Sequence, residues 1–208
     1  NFKNLTEEFR SYFTGSLYNV HEGVKTDKLI NYISCHDNNT LWDKLIIIEY
    51  QLQEEKIEKP QKQNAKSLKC IETEEIYIHP QKLKTFKDKS KFMKRDDIVV
   101  KRNKLAAAIL FFSFGIPFFQ AGEEGGRTKF GEGNSYNLAK SVNKIDWERI
   151  YEFEDLVEYY KKLIRLRKVL INIYDLSKMN YFIIEGLPDG IIGFIVKRMK
   201  YGKYKEII

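Results

Sequence analysis

Two short apolar runs, each closed by a knot of polar residues, constrain this chain most. Leu29-Ile30-Asn31-Tyr32-Ile33-Ser34-Cys35 ends at His36-Asp37-Asn38-Asn39-Thr40, and Ile116-Pro117-Phe118-Phe119-Gln120-Ala121 ends at Gly122-Glu123-Glu124-Gly125-Gly126-Arg127. Runs of this length, rich in Ile, Tyr and Phe and bounded by turn residues, read as buried strands. Between them, Lys104-Leu105-Ala106-Ala107-Ala108-Ile109-Leu110 consists of strong helix formers, so a helix is expected from Asn103 until Gly115 ends it. Strand, polar loop, helix, strand, polar loop is the rhythm of a parallel α/β protein, which gathers its chemistry at the carboxyl ends of the strands.

The flanking segments read differently. Residues 1–27, with Gly15 and Gly23, predict irregular structure around at most one short helix. From Ile46 to Arg102 lysine, glutamate and glutamine dominate and Pro60 and Pro80 interrupt any long helix, which predicts a solvated insertion at about 46–102. An amphipathic helix is expected from Glu152 to Lys168, where Phe153, Leu156, Val157, Tyr160, Leu163, Ile164 and Leu166 or Arg167 recur at three- and four-residue spacing. Beyond Leu170 the pattern turns to strands. Tyr181–Ile184 and Ile191–Lys197, joined by Gly186-Leu187-Pro188-Asp189-Gly190, predict a hairpin that opens a separate β domain over 171–208.

Composition removes several function classes. Of 208 residues, 43% are hydrophobic and 14% aromatic, enough apolar material for a core. The net charge of +7 suits an anionic partner, but the lysines are spread along the chain, densest from Lys56 to Lys104, and no nucleic-acid-binding motif accompanies them. No nucleic-acid partner is therefore expected. The longest apolar stretch, Leu105 to Ala121, is broken by Gly115 and Pro117, so no membrane partner is expected either. Cys35 and Cys70 show no C-x-x-C spacing and are too few for a disulfide framework. No metal ligand and no cofactor is assigned. Two cysteines fit a cytoplasmic protein slightly better than a secreted one.

The residues Asn31-Tyr32-Ile33-Ser34-Cys35-His36-Asp37-Asn38-Asn39-Thr40-Leu41-Trp42-Asp43-Lys44-Leu45 closely resemble the seventh-strand motif of type I pullulanases, debranching glycosidases of the alpha-amylase superfamily. Gly115-Ile116-Pro117-Phe118 through Gly122-Glu123-Glu124 and Arg127-Thr128-Lys129 resemble that family's eighth strand and following loop. Asn134-Ser135-Tyr136-Asn137, Asn143 and Ile145-Asp146-Trp147 follow in the order of the family. The resemblance implies a partial (β/α)8 TIM barrel: residues 1–170 would hold its last two β/α units, and 171–208 the start of an all-β sandwich domain. It also implies hydrolysis of alpha-1,6-glucosidic bonds in a branched alpha-glucan or pullulan.

Retaining glycosidases use a carboxylate nucleophile and a carboxylic acid about 5–5.5 Å apart. In the family these lie on the fourth and fifth strands, whose motifs this chain does not contain, so the chain by itself is expected to be inactive. A noncatalytic or decayed glucan-binding piece, or another amylase-type hydrolase, is the alternative. By resemblance, Asp37 and His36 are the catalytic candidates: the aspartate accepts hydrogen bonds from sugar hydroxyls that strengthen as positive charge develops, and the imidazole donates one more. Asn38, Glu123, Arg127 and Asn134 are the candidates for substrate binding, and Arg127 and Asn134 have a second reading as residues whose hydrogen bonds order the loop. Trp42 has two readings, a stacking face for a sugar ring or a core residue. Of the adjacent Glu123 and Glu124, expected at a strand end, one would support the site and the other pair structurally, with Arg127 as its partner. Trp147 and the aromatic residues of the helix after it read as packing. Two departures stand out: Gly125 occupies a place where the family leads one to expect phenylalanine, which would loosen the site wall, and the excursion from Ile46 to Arg102 is longer than the family leads one to expect, which would reshape the approach for branched substrate.

Overall fold

The computed structural model describes residues 30–58, 90–113, 115–173, 179–184, 186–188, 191, 193–200 and 203–206. The expectations for residues 1–27, and Cys70, lie outside them. The two apolar runs do form parallel neighbours, β1 (Ile30–Asn31) and β2 (Ile116–Pro117), with Ile30 opposite Ile116. The Phe118 N–H donates to Asn31 O at 2.8 Å and continues the ladder by one residue. Regular pairing is much shorter than the runs predicted.

Three long helices build the hydrophobic core beside this pair. The first, α1 (Leu41–Glu58), starts where the Thr40 hydroxyl accepts the Asp43 N–H at 3.2 Å, an N-terminal cap that satisfies a donor the helix itself cannot. A short α2 (Ser90–Met93) precedes α3 (Asp97–Phe112), whose Asp96 carboxylate caps Ile98 N and Val99 N at 2.8 and 3.1 Å. The expected solvated excursion over 46–102 is thus corrected at both ends: Ile46–Glu58 and Asp97–Arg102 are helical. Ile46, Ile47, Val99 and Val100 are core residues there, and the high lysine content obscured their helical spacing.

After β2, Gly122 and Gly126 both take the left-handed conformation, at φ 90° and 64°, around a 3-10 turn (Glu123–Gly125). Short helices α4 (Lys140–Asn143) and α5 (Trp147–Glu152) lead to α6 (Glu154–Ile173). Leu156, Tyr160, Leu163 and Arg167 form its buried stripe, which Phe153 just before the helix extends, at the three- and four-residue spacing read from sequence. The ambiguous position resolves to Arg167, because Leu166 is 46% exposed. Arg167 donates to the carbonyls of Phe111, Ser113 and Gly115, closing the free end of α3 with a charge-assisted cap.

Phe119 packs toward the helices, its ring centroid 5.6 Å from Phe111 and 5.6 Å from Tyr160. Strand alternation sends Ile30, Tyr32, Ile116 and Phe118 to the other face, where each is 46–62% exposed. Within this chain that apolar face stays open to solvent. Trp147 is also corrected, from packing to surface: it is 67% exposed, and Tyr151 one turn later is 81% exposed. The carboxy-terminal hairpin is present, as β3 (Met179–Ile183) antiparallel to β4 (Phe194–Lys200), with a third strand β5 (Lys203–Glu206) on β4. Among the described residues no helix is long and apolar enough to cross a membrane.

Candidate active site

The carboxyl end of β1 carries His36 and Asp37 on a short irregular segment before α1. His36 Nε2 lies 3.2 Å from Asp37 Oδ2, and the two side chains are 87% and 73% exposed. Asn38 follows at φ 59°, a left-handed turn that asparagine tolerates better than most residues. The segment is held from the loop after β2: Lys129 Nζ donates to His36 O at 2.9 Å and Asn39 Nδ2 donates to Gly131 O at 3.2 Å. A Cβ placed on Gly133 would stand 3.0 Å from Asn39 Oδ1 and 3.9 Å from Asn38 Cα, so the chain passes close to Asn38 just before Asn134. Asn134 itself is exposed. The structure therefore brings His36, Asp37 and Asn38 next to the 131–134 loop.

The other three sequence candidates do different work. Trp42 is 1% exposed, its Nε1 donates to Phe92 O at 2.9 Å, and its ring meets Phe153 edge-on at 4.9 Å. The Arg149 guanidinium sits 4.9 Å over that ring. This corrects the sugar-stacking reading in favour of the core one, because no face of the indole is left open. Glu123 is likewise corrected as a substrate contact: it is 4% exposed, accepts from the Ser34 hydroxyl at 2.5 Å, and lies 3.2 Å from Tyr160 Oη. Arg127 donates to the carbonyls of Ala121 and Asn143 at 3.0 and 2.6 Å, so its guanidinium orders the loop. Glu124 folds back onto Gly122 N at 3.0 Å and acts on Arg127 only through its charge. Both glutamates belong to the 3-10 turn and not to the strand end where they were expected.

Gly125 does not loosen a wall. A Cβ there would stand 2.6 Å from Ile150 Cγ1, so Ile150 already fills the space a larger residue would enter. Beside it lies a concavity open to solvent and lined by residues including Gly122, Gly125, Arg127, Lys144 and Arg149; neither His36 nor Asp37 lines it.

Sequence reasoning missed the residues that support the site from behind. Asp43, buried on α1, accepts from Thr128 Oγ1 at 2.5 Å and from Lys129 N at 2.9 Å, which fixes the residue whose ammonium holds His36 O. Burial pushes the Asp43 carboxyl above its ordinary range, against the lowering effect of these bonds. The available signal was an aspartate on the apolar side of a helix. Burial also pulls the Lys129 ammonium down, while the charges of Asp43, Asp37 and Cys35 pull it back up.

Tyr160 Oη lies 2.9 Å from Asn103 Oδ1 as well as 3.2 Å from Glu123 Oε1, yet a phenol has one proton to give. Burial raises the Glu123 carboxyl, and the phenol is raised by burial and by Glu123. A carboxyl whose pKa is raised by folding contributes stability below its unfolded value and loses it as pH rises through the folded one. Glu123→Gln keeps the shape and supplies a permanent donor to Tyr160 Oη. It is expected to match the original chain at about pH 4 and exceed it at about pH 8 in urea midpoint. A difference that stays constant with pH would reject a protonation role for Glu123.

No protein-family model matches the chain. A pullulanase of Bacillus subtilis (strain 168) is 32% identical over 139 residues, 67% of this chain and 14% of that protein. An isoamylase of a Flavobacterium species is 36% identical over 105 residues, 45% of this chain and 14% of its own length. The chain thus spans 14% of the length of the curated relatives it matches. Among solved structures, a pullulanase from Bacillus acidopullulyticus superposes with a TM-score of 0.62 and 26% identity, over 93% of this chain and 19% of that one. A pullulanase from Paenibacillus barengoltzii, in complex with maltohexaose and alpha-cyclodextrin, superposes with a TM-score of 0.59 and 25% identity, over 91% of this chain and 24% of that one.

Proposed function

We propose that this chain, a relative of the type I pullulanases in the alpha-amylase superfamily of glycoside hydrolases, forms one wall of the site of an enzyme that cleaves alpha-1,6 bonds in branched alpha-glucans or pullulan. The observation that carries the reading is the His36–Asp37 pair, 3.2 Å apart at the carboxyl end of β1 and supported by the loop after β2. In a parallel barrel the carboxyl ends of the strands face the substrate. Residues to about 170 are the last two β/α units of the barrel, with the Lys-rich segment between α1 and α2 as an insertion. Residues 171–208 begin the following β domain. The exposed face of Ile30, Tyr32, Ile116 and Phe118 is the one a closed barrel turns inward.

In the proposed mechanism, which retains configuration, Asp37 accepts hydrogen bonds from ring hydroxyls and opposes the positive charge of the oxocarbenium-like transition state. His36 orients Asp37 and donates to the sugar. Asn38 and Asn134 contribute exposed amides on the two sides of the 131–134 approach. The nucleophile and general acid come from the fourth and fifth strands, outside this chain. Maltohexaose in a structural relative supports an alpha-glucan ligand.

The test is to read the coding DNA upstream of Asn1 and assay the protein it encodes. A frame carrying six further barrel units and both carboxylates is expected, with linear alpha-1,4-linked products released from branched glucan. If the frame opens at Asn1, the hydrolase reading fails and a noncatalytic glucan-binding piece replaces it. Cleavage of unbranched amylose in place of branch points would make it an amylase-type hydrolase instead.

A further inference from the structure

We propose that Cys35, His36 and Asp37 form a binding site for a borderline divalent transition-metal cation, with Zn²⁺ the best fit. The donor atoms of these three consecutive residues, one thiol sulfur, one imidazole nitrogen and one carboxylate oxygen, all lie within 4.8 Å of one another. His36 Nε2 and Asp37 Oδ2 are already 3.2 Å apart. A tetrahedral zinc ion bound to N and O at about 2.0–2.2 Å separates its ligands by roughly 3.4 Å, so that edge is formed before any ion arrives.

The third donor needs only a modest adjustment. Cys35 is partly buried, with Sγ 3.8 Å from Asp37 O, while the His36 and Asp37 side chains are exposed and can turn toward it. The backbone beneath them is anchored by the Lys129 bond to His36 O. A thiolate with an imidazole and a carboxylate selects zinc or a similar borderline ion over calcium and magnesium, which prefer oxygen alone. As the ion binds, the Cys35 thiol proton leaves to solvent, and the fourth position is open to water.

Lys44 and Lys129 lie close enough for their charges to interact with Cys35. Their ammonium groups are engaged by Ile33 O and His36 O, so they weaken the field at the ion without occupying its ligands. A consequence rests on the glucan reading above: an ion held by His36 and Asp37 competes with sugar hydroxyls for the same atoms. The metal site itself does not depend on that reading.

The experiment is a Co²⁺ titration of the 208-residue chain carrying Cys70→Ser, so that Cys35 is the sole thiol. A thiolate-to-cobalt charge-transfer band saturating at one ion per chain, and bleached by Zn²⁺, is expected. Cys35→Ser should abolish the band, and His36→Ala or Asp37→Ala should each weaken binding by roughly tenfold or more. The His36 and Asp37 side chains are exposed and Cys35 is partly buried, and an unchanged far-ultraviolet circular dichroism spectrum for each variant separates lost ligation from lost folding. Absence of the band in the Cys70→Ser chain, or equal Co²⁺ affinity after Cys35→Ser, overturns the site. Neither result depends on glucan hydrolysis.

Discussion

In an enzyme that joins this chain to a barrel carrying the nucleophile and general acid, Asp37→Asn is expected to lower kcat for pullulan by roughly 10²–10³-fold, the usual effect of removing one group aimed at transition-state charge. Asparagine keeps the shape and one acceptor oxygen but loses the negative charge. Ground-state hydrogen bonds to the sugar should therefore survive in part, and KM should change far less than kcat. The fold should not respond, because the Asp37 side chain is 73% exposed and, among the described residues, pairs with His36 at 3.2 Å. An unchanged melting temperature with a loss of two or more orders of magnitude in rate is the expected pair of readings. A loss smaller than tenfold would remove Asp37 from the reaction.

The second large effect is on stability. Asp43→Ala should destabilise the chain by about 3 kcal/mol, since it strips acceptors from a buried hydroxyl and a buried backbone N–H that water cannot reach. Those donors are Thr128 Oγ1 at 2.5 Å and Lys129 N at 2.9 Å. Asp43→Asn is the informative comparison. Its oxygen can still accept from Thr128, but its amide would face the Lys129 N–H, donor against donor. A smaller loss, about 1–2 kcal/mol, is expected from chemical denaturation. If asparagine were neutral while alanine cost the full amount, Asp43 would be a packing residue and not an acceptor. Because Lys129 Nζ holds His36 O at 2.9 Å, Asp43→Asn should also loosen the His36–Asp37 segment.

The elements and their order were legible because periodicity is a local property. The apolar runs at 29–35 and 116–121 announced two strands, and the 153–167 spacing announced the buried face of α6, including Arg167 as an alternative to Leu166. The lysine-rich stretch misled at its ends. Helix spacing there is carried by few apolar residues, and the caps that start α1 and α3, Thr40 and Asp96, are single side chains whose effect depends on geometry.

Residue type and order by themselves determined the two strand–loop blocks, the polar ends that hold His36, Asp37 and Asn38, and the resemblance that pointed to glucan chemistry. Only the tertiary structure decided which polar and aromatic residues remain reachable. It closed Trp42 behind Phe153 and Arg149, buried Glu123 under Ser34 and Tyr160, and left Trp147 outside. It also tied Lys129 across 93 positions to the carbonyl of His36. Spacing along a chain reports which face of its own element a side chain takes, whereas accessibility and hydrogen-bond partners depend on what a distant segment packs against that face.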